Sequence, residues 1–248
     1  MKVVYHPCYT EVYESDPAAA PGRMEAIIKE IKGFAMVQPE PAGVDEISLC
    51  HTALQIGYVK RYGFVYEMAL LAAGGAIKAA ELAVQGEPAF GLIRPPGHHA
   101  SPESCWGFCF FNNIAIAITR LIKQKQIRTA LILDFDLHYG DGTANIFRGN
   151  SDVVYFHPED SHRQDFVDHV HLFLEQNKAD IIAVSAGFDR HIEDWGRLLT
   201  TEDYKTIGQE VKKFSLSKCG GKRFGVLEGG YNHMVLGKNV KAFLDGMA

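Results

Sequence analysis

Short apolar runs recur along this chain, and longer segments with the apolar spacing of helices lie between them. The strand-like runs are residues 3–5, 89–93, 130–135, 153–156, 181–185 and 224–227. The helical patterns cover residues 22–34, 65–84, 112–124, 142–147, 161–177, 201–216 and 234–244. Strands that alternate with helices form a mostly parallel sheet with helices on both faces. The sequence therefore predicts an α/β fold.

A single domain accounts for the whole of this pattern. The 248 residues, of which 47% are hydrophobic, are enough to bury a full core. A turn-rich connector at residues 38–43 joins parts of similar composition, and no internal repeat or low-complexity tract occurs. We expect one catalytic domain over residues 1–248.

Polar clusters follow four of the predicted strands directly. They are residues 94–99, 134–141, 186–189 and 228–232. Ligand sites of open α/β sheets lie beyond the carboxyl ends of the strands. These four clusters, although far apart in sequence, are therefore expected to form one site.

The segment 134–141 packs three carboxylates and one imidazole into eight residues after an apolar run. Residues two apart share a face of a strand, so Asp136 and His138 can bind one metal ion. Asp189, after another strand, is the candidate third ligand. Zinc with an open position fits this set, and iron(II) or another divalent ion is also compatible. The alternative explanation of the same residues is an ion-paired turn that caps a helix.

Two adjacent histidines, His98 and His99, follow the strand at 89–93. Asp134 and Asp141 are carboxylates that the metal set does not use. A carboxylate that accepts an imidazole N–H fixes the tautomer of the ring and raises its basicity. The four residues together would supply a general base and a general acid beside the metal.

Tyr231 follows Gly229 and Gly230, which allow close approach of the backbone. Its phenol could donate to an oxyanion that develops opposite the metal. An ordinary turn is the alternative explanation of this segment.

The composition excludes several classes of protein. A net charge of −5 argues against a nucleic-acid binder and is compatible with a cationic substrate such as a lysine side chain or a polyamine. Five cysteines without a CxxC spacing argue against disulfides and favour a reducing, cytoplasmic location. No signal peptide or membrane span is expected, because the longest uncharged stretch, 104–119, is short and polar.

In this order, the motifs together resemble those of the histone deacetylase superfamily. The resemblance is to its bacterial and class II-like branch, which includes acetoin-utilisation proteins and acetylpolyamine amidohydrolases. The matching segments are residues 94–99, 107–109, 112–113, 134–143, 185–189, 199–204 and 227–232. The resemblance covers most of the chain from Tyr66 onward, and it implies the arginase/deacetylase α/β fold.

The same resemblance implies zinc-dependent hydrolysis of an acyl amide, such as an acyl-lysine, an acylpolyamine or a small acylated amine. The implied site residues are the zinc ligands Asp136, His138 and Asp189, the pairs His98 with Asp134 and His99 with Asp141, and the carbonyl-polarising Tyr231. His99 would be the general base and acid, and His98 its electrostatic partner. Gly107 and Phe108 would line a tunnel for the acyl-lysine.

A second ion is also implied by the resemblance. Family members often hold a monovalent cation such as K⁺ behind the zinc site. Backbone carbonyls near Asp134, Asp136 and His138 would be its ligands.

The chain is short for this family, and its shortened segments lie at the rim of the expected site. Residues 60–63 lead almost directly into the next helix, where relatives carry a substrate-gripping loop. Residues 159–170 run quickly into a helix, where relatives carry an aromatic tunnel wall. We therefore expect a site with an intact floor and a reduced rim, which a second copy in a homo-oligomer could complete. We interpret His157, His162, His169 and His171 as surface or interface histidines.

Two other functions remain open from the sequence. The first is a catalytically weak or inactive protein that binds acyl-amines on the same fold. The second is a ureohydrolase, whose chemistry usually requires two manganese ions and further carboxylates. One metal ion per chain would oppose the second reading.

Overall fold

A single parallel sheet of seven strands organises the protein, whose computed structural model describes residues 1–248. The strands are β1 (Lys2–Val4), β2 (Ala35–Val37), β3 (Ala89–Gly91), β4 (Ala130–Asp134), β5 (Val153–Phe156), β6 (Ile181–Ala186) and β7 (Arg223–Leu227). Their order across the sheet is β2-β1-β3-β7-β6-β4-β5, and every neighbouring pair is parallel. The α/β fold expected from the sequence is confirmed.

Nine helices connect and cover the strands. They are α1 (Arg23–Glu30), α2 (Val44–Ile47), α3 (Ala53–Lys60), α4 (Phe64–Val84), α5 (Asn113–Lys123), α6 (Asp141–Ile146), α7 (Arg163–Gln176), α8 (Thr201–Lys218) and α9 (His233–Met247). Every residue of β3, β4, β6 and β7 is buried. Because side chains alternate between the two faces of a strand, this burial means that both faces of the central sheet are covered. None of the helices has the combination of length and apolar character that a membrane crossing requires.

The expected strands and the longer helices are present, with ends that differ by a few residues. The sequence did not predict β2, α2 or α3. Strand β2 is three residues long, lies at the edge of the sheet and has two exposed positions, so it lacks a buried face that would show in the pattern. Helix α3 has only three buried residues, and one of them is the polar Gln55.

The strand order determines where the polar clusters meet. Strands β3, β7, β6 and β4 are consecutive neighbours in the sheet. Since they are parallel, the segments that follow them leave the sheet at the same edge. The clusters at 94–99, 228–232, 186–189 and 134–141 therefore come together there.

Candidate active site

Three of these side chains form a cluster with the spacing of metal ligands. Ligand atoms of Asp136, His138 and Asp189 all lie within 4.8 Å of one another. The His138 Nδ1 atom is 3.3 Å from Asp136 Oδ1 and 3.3 Å from Asp189 Oδ2. Two ligands about 2.0–2.1 Å from one tetrahedral ion stand roughly 3.4 Å apart. The cluster thus has the dimensions of a three-ligand divalent metal site.

One carboxylate oxygen of this cluster has no hydrogen-bond partner. Backbone N–H groups of Gly229 and His138 donate to the two oxygens of Asp136, at 2.8 and 2.9 Å. Leu137 donates likewise to Asp189 Oδ1 at 3.0 Å. Asp189 Oδ2, however, is buried and accepts no hydrogen bond, although His138 Nδ1 stands 3.3 Å from it. Because an unsatisfied buried carboxylate is costly, this oxygen fits a bound divalent cation, and we infer that the residues present suit such an ion.

Electrostatics point to the same requirement for positive charge. Burial, together with the charge on Asp136, raises the pKa of Asp189 to about 6. Its close contacts with the carboxylates of Asp136 and Asp189 raise the pKa of His138 to about 10. The three groups therefore hold a proton at neutral pH when no ion replaces it.

Gly229 leaves room for the carboxylates of this cluster. A Cβ atom at this position would come within 2.6 Å of Asp136 Oδ2 and 2.7 Å of Asp189 Oδ2. A side chain there would displace both candidate ligands, so the Gly-Gly pair of residues 229–230 serves the cluster as well as the turn.

His98 is fixed beside the cluster by Asp134. Its Nδ1 is 3.0 Å from Asp134 Oδ2, which also accepts a 2.9 Å hydrogen bond from the Tyr155 hydroxyl. Its Nε2 is 3.8 Å from Asp136 Oδ1. Burial alone would lower the pKa of His98, but the charges of Asp136 and Asp134 outweigh it and raise the pKa well above the usual value. His98 is therefore a positive charge at neutral pH.

His99 has the opposite protonation. Its Nδ1 is 2.7 Å from Asp141 Oδ1, and Trp106 Nε1 donates to Asp141 Oδ2 at 3.0 Å. The Trp106 ring packs on the His99 ring with centroids 3.9 Å apart. Burial, then the charge on His98, lowers the pKa of His99 to about 4. His99 is therefore neutral at pH 7, and with Nδ1–H on Asp141 its Nε2 is a free acceptor at the pocket.

A buried carboxylate beneath the two histidines was given no role by the sequence. Glu228 accepts hydrogen bonds from the backbone N–H of Gly97 at 2.8 Å and of His98 at 3.3 Å, and from the Ser185 hydroxyl at 3.1 Å. Burial raises its pKa to about 7. Glu228 thus ties the loops after β3 and β7 to the end of strand β6, and its place directly after an apolar strand was the available signal.

Arg23 connects the first helix to the same floor. Its fully buried guanidinium donates to the carbonyl of Gly230 at 2.9 Å and to that of Glu228 at 2.6 Å. Arg23 therefore holds the backbone just before Tyr231 at two points, residues 228 and 230.

Tyr231 lies between two aromatic rings at the mouth of the site. Trp195 stacks on it with ring centroids 4.0 Å apart, and Phe108 meets it edge-on at 6.3 Å. The backbone N–H of Tyr231 donates to Asp194 Oδ2 at 2.8 Å. Burial and the nearby carboxylates of Asp136 and Asp189 raise the pKa of Tyr231 far above its usual value, so the phenol keeps its proton and remains a donor.

A small pocket of about 120 Å³ opens over these groups. Its lining residues are Pro96, His98, His99, Trp106, Gly107, Phe108, His138, Trp195, Gly229 and Tyr231. Gly107 and Phe108 both have positive φ, +58° and +65°, and this tight turn presents the Phe108 ring to the pocket. The pocket joins the aromatic walls to the metal-ligand cluster.

The structure thus brings every candidate site residue from the sequence to one edge of the sheet. It also adds Trp106 and Trp195, which supply aromatic walls despite the shortened segment 159–170. No local pattern marks Trp195, because its role depends on Tyr231 arriving from another strand. One interpretation was wrong, because His157 lies beneath the loop of residues 135–140 (the metal-ligand loop), which carries Asp136 and His138. The Nδ1 of His157 is 3.1 Å from the carbonyl oxygen of Asp134. His162, His169 and His171 lie at α7, away from that loop.

Known proteins resemble this chain over most of its length. A family model described as the histone deacetylase domain matches residues 18–166 and 157–247. A probable deacetylase of Methanothermobacter thermautotrophicus is 30% identical over 304 aligned residues, which cover 100% of this chain and 90% of the relative. Because this alignment is longer than 248 residues, the relative carries segments that this chain lacks.

Two further proteins extend the comparison. A histone deacetylase-like amidohydrolase of Pseudomonas aeruginosa is 30% identical over 206 residues, which cover 67% of this chain and 54% of that protein. The crystal structure of the HDA15 HD domain matches with a TM-score of 0.82 and 23% identity, over 99% of this chain and 88% of the other. At that identity the structural match supports the fold alone, and the resemblance drawn from the motifs is confirmed by the family model.

Proposed function

This chain belongs to the histone deacetylase family, and on that premise we propose that it hydrolyses a short acyl amide of an amine with the help of one divalent metal ion. Asp136, His138 and Asp189 would hold the ion, with zinc as the first candidate. The substrate would be an acyl-lysine, an acylpolyamine or a small acylated amine.

The unpartnered Oδ2 of Asp189 is the observation that supports this proposal best. It faces an imidazole and a second carboxylate, and next to them are one charged and one neutral histidine. A site that only stabilised the fold would pair this oxygen with a donor of its own. This arrangement is expected of a site in which a metal ion and a proton acceptor act on the same substrate.

Each residue has a definite task in the proposed reaction. A bound divalent ion would lower the pKa of water and polarise the acyl carbonyl. The neutral His99 accepts the water proton at Nε2, while Asp141 holds Nδ1–H in place, and the resulting imidazolium returns a proton to the leaving amine. The charge on His98, held by Asp134, keeps the pKa of His99 low and so favours this return.

Tyr231 donates its phenolic hydrogen to the acyl oxygen as negative charge develops there. Its retained proton and its fixed ring, between Trp195 and Phe108, suit this task. A preorganised donor of this kind contributes about 10²- to 10³-fold in rate.

The size of the pocket supports a short acyl group. Its volume is about 120 Å³. Pockets that take drug-sized ligands measure roughly 300–1,000 Å³, so this pocket suits a much smaller group. An acetyl amide and the reacting water fill such a space, and a long acyl chain exceeds it.

Metal-dependent turnover of an acetyl-lysine or acetylpolyamine probe tests the proposal. We expect activity of the metal-loaded protein that a chelator removes. Tyr231→Phe should lower kcat by about 10²- to 10³-fold, and His99→Ala by about 10²- to 10⁴-fold.

The matched control is Tyr58→Phe, which removes the hydroxyl of a surface tyrosine and should leave the rate unchanged. Full activity in either site variant would contradict the mechanism. Tight binding of an acyl-lysine or a hydroxamate by the metal-loaded protein without any turnover would instead favour the binding protein.

A further inference from the structure

A positively charged side chain, that of Arg190, lies behind the metal-ligand loop. The resemblance to the family implies a monovalent ion here, coordinated by carbonyl oxygens near Asp134, Asp136 and His138. In this chain, His157 Nδ1 lies 3.1 Å from the carbonyl oxygen of Asp134, and Arg190 Nε donates to that of Asp136 at 3.0 Å. Two of the implied carbonyl ligands are therefore already engaged by side chains, and these residues do not fit a K⁺ ion.

The Arg190 side chain is buried among other protein groups. The residue is only 5% exposed. Its NH2 group donates to the Pro158 carbonyl at 2.9 Å and lies 3.1 Å from His157 Nε2. Its Cζ atom is 4.8 Å from the centroid of the buried Phe166 ring. The guanidinium thus has an aromatic face and three polar partners, which is the environment of a permanent, desolvated cation.

The protons of this group can be placed from the chemistry of its members. Arginine only donates, so His157 Nε2 must accept from Arg190. The His157 proton is then on Nδ1, where it donates to the Asp134 carbonyl, which can only accept. The Arg190 guanidinium therefore donates directly to the Asp136 carbonyl. It acts on the Asp134 carbonyl indirectly, through the neutral imidazole of His157.

We propose that the Arg190 guanidinium takes the structural place of a monovalent cation behind the metal ligands, so that the metal centre of this chain needs neither K⁺ nor Na⁺. Arg190 follows the ligand Asp189 directly in sequence and holds the backbone at the ligand Asp136. It is a positioning residue, because it acts through the ligands and touches no substrate. This inference uses the metal site of the proposed function but not the reaction.

The first test needs no variant. Zinc affinity, by competition with a chelator, and Tm are measured in KCl, NaCl and tetramethylammonium chloride at equal ionic strength. We expect the same values in all three salts. A rise in either quantity that is specific to K⁺ or Na⁺ and saturates would overturn the proposal.

The second test removes the charge with Arg190→Met. Loss of a group that orients metal ligands typically lowers metal affinity by about 10- to 100-fold. We expect that loss in tetramethylammonium chloride, and partial recovery in KCl because the freed carbonyls can then bind the ion. Unchanged affinity, or a loss that K⁺ does not relieve, would show that Arg190 does not replace a cation.

Arg163→Met is the matched control, since Arg163 pairs with Asp203 about half exposed at the surface. It should keep the zinc affinity of the unaltered protein in every salt. If Arg190→Met does not fold, the salt series on the unaltered protein still decides the question. Zinc affinity and Tm are both measured without substrate. The outcome for Arg190 is therefore independent of whether the protein hydrolyses an acyl amide.

Discussion

Protons and a metal ion compete for the same side chains at the scale of single residues. His138 has a pKa raised to about 10 by its two carboxylate neighbours, and Asp189 one raised to about 6 by burial and by Asp136. Both groups must lose their protons to bind an ion. The charges that favour a cation therefore also hold a proton until the cation arrives.

Metal affinity should accordingly rise with pH. Between pH 6 and 10 the metal-free site holds the His138 proton, so binding releases one proton and affinity rises about tenfold per pH unit. Below pH 6 the protonated Asp189 makes the dependence steeper. Calorimetry in buffers with different ionisation enthalpies would measure the released protons. Zinc binding at pH 7 without proton release would contradict this assignment.

The sequence indicated the candidate ligands and the paired carboxylates because they lie in short motifs at strand ends. Arg190 and Glu228 were within those same motifs, but their roles could not be predicted. Each acts on backbone groups contributed by distant segments, and the sheet order alone brings these segments together. Residue type and spacing indicate what a side chain can do, and not which carbonyl it will meet.

At the scale of helices and strands, the close packing of α4 against the connector at residues 38–43 depends on Gly74. A Cβ atom at Gly74 would overlap the carbonyl oxygen of Glu40, in the connector that follows β2. The backbone N–H of Ala42 also donates to the Leu70 carbonyl at 2.9 Å, so the connector lies against this helix. The sequence predicted a turn-rich connector here but not its contact with α4.

Two glycine-to-alanine substitutions should thus change stability in opposite directions. Gly74→Ala overpacks the α4 contact and should lower the free energy of unfolding by about 1–3 kcal/mol. Gly57→Ala, in α3, meets no atom within 4 Å and should raise it by about 0.5–1 kcal/mol through helix propensity. Denaturant unfolding measures both. A stable Gly74→Ala variant would mean that the connector can move away without cost.

The shape of the pocket is a property of the whole molecule, because several distant segments contribute its aromatic side chains. Trp195 follows β6, Tyr231 follows β7, and Phe108 comes from the turn between β3 and α5. The sequence predicted the shortened rim segments, and in the structure a tryptophan after β6 narrows the mouth instead. Under the proposed function, the shortened segment and the size of this side chain would together limit which acyl groups enter.

Trp195→Ala should therefore widen the choice of acyl group. We expect the ratio of kcat/KM for butyryl to acetyl amides to rise by about tenfold or more, since one methylene in an apolar pocket is worth about 10- to 200-fold. Ile192→Ala, on the same loop and 54% exposed, is the control and should leave the ratio unchanged. An unaltered ratio for Trp195→Ala would place the size limit elsewhere in the site.

The chain contains two tryptophans, Trp106 and Trp195, and both line the pocket. One indole packs on His99 and the other on Tyr231, so the tryptophan emission of the protein originates entirely within the candidate site. Binding of an ion or a ligand will alter the intensity of that emission directly. Stopped-flow measurements of tryptophan fluorescence can therefore follow binding at the site in real time, and no added label is needed.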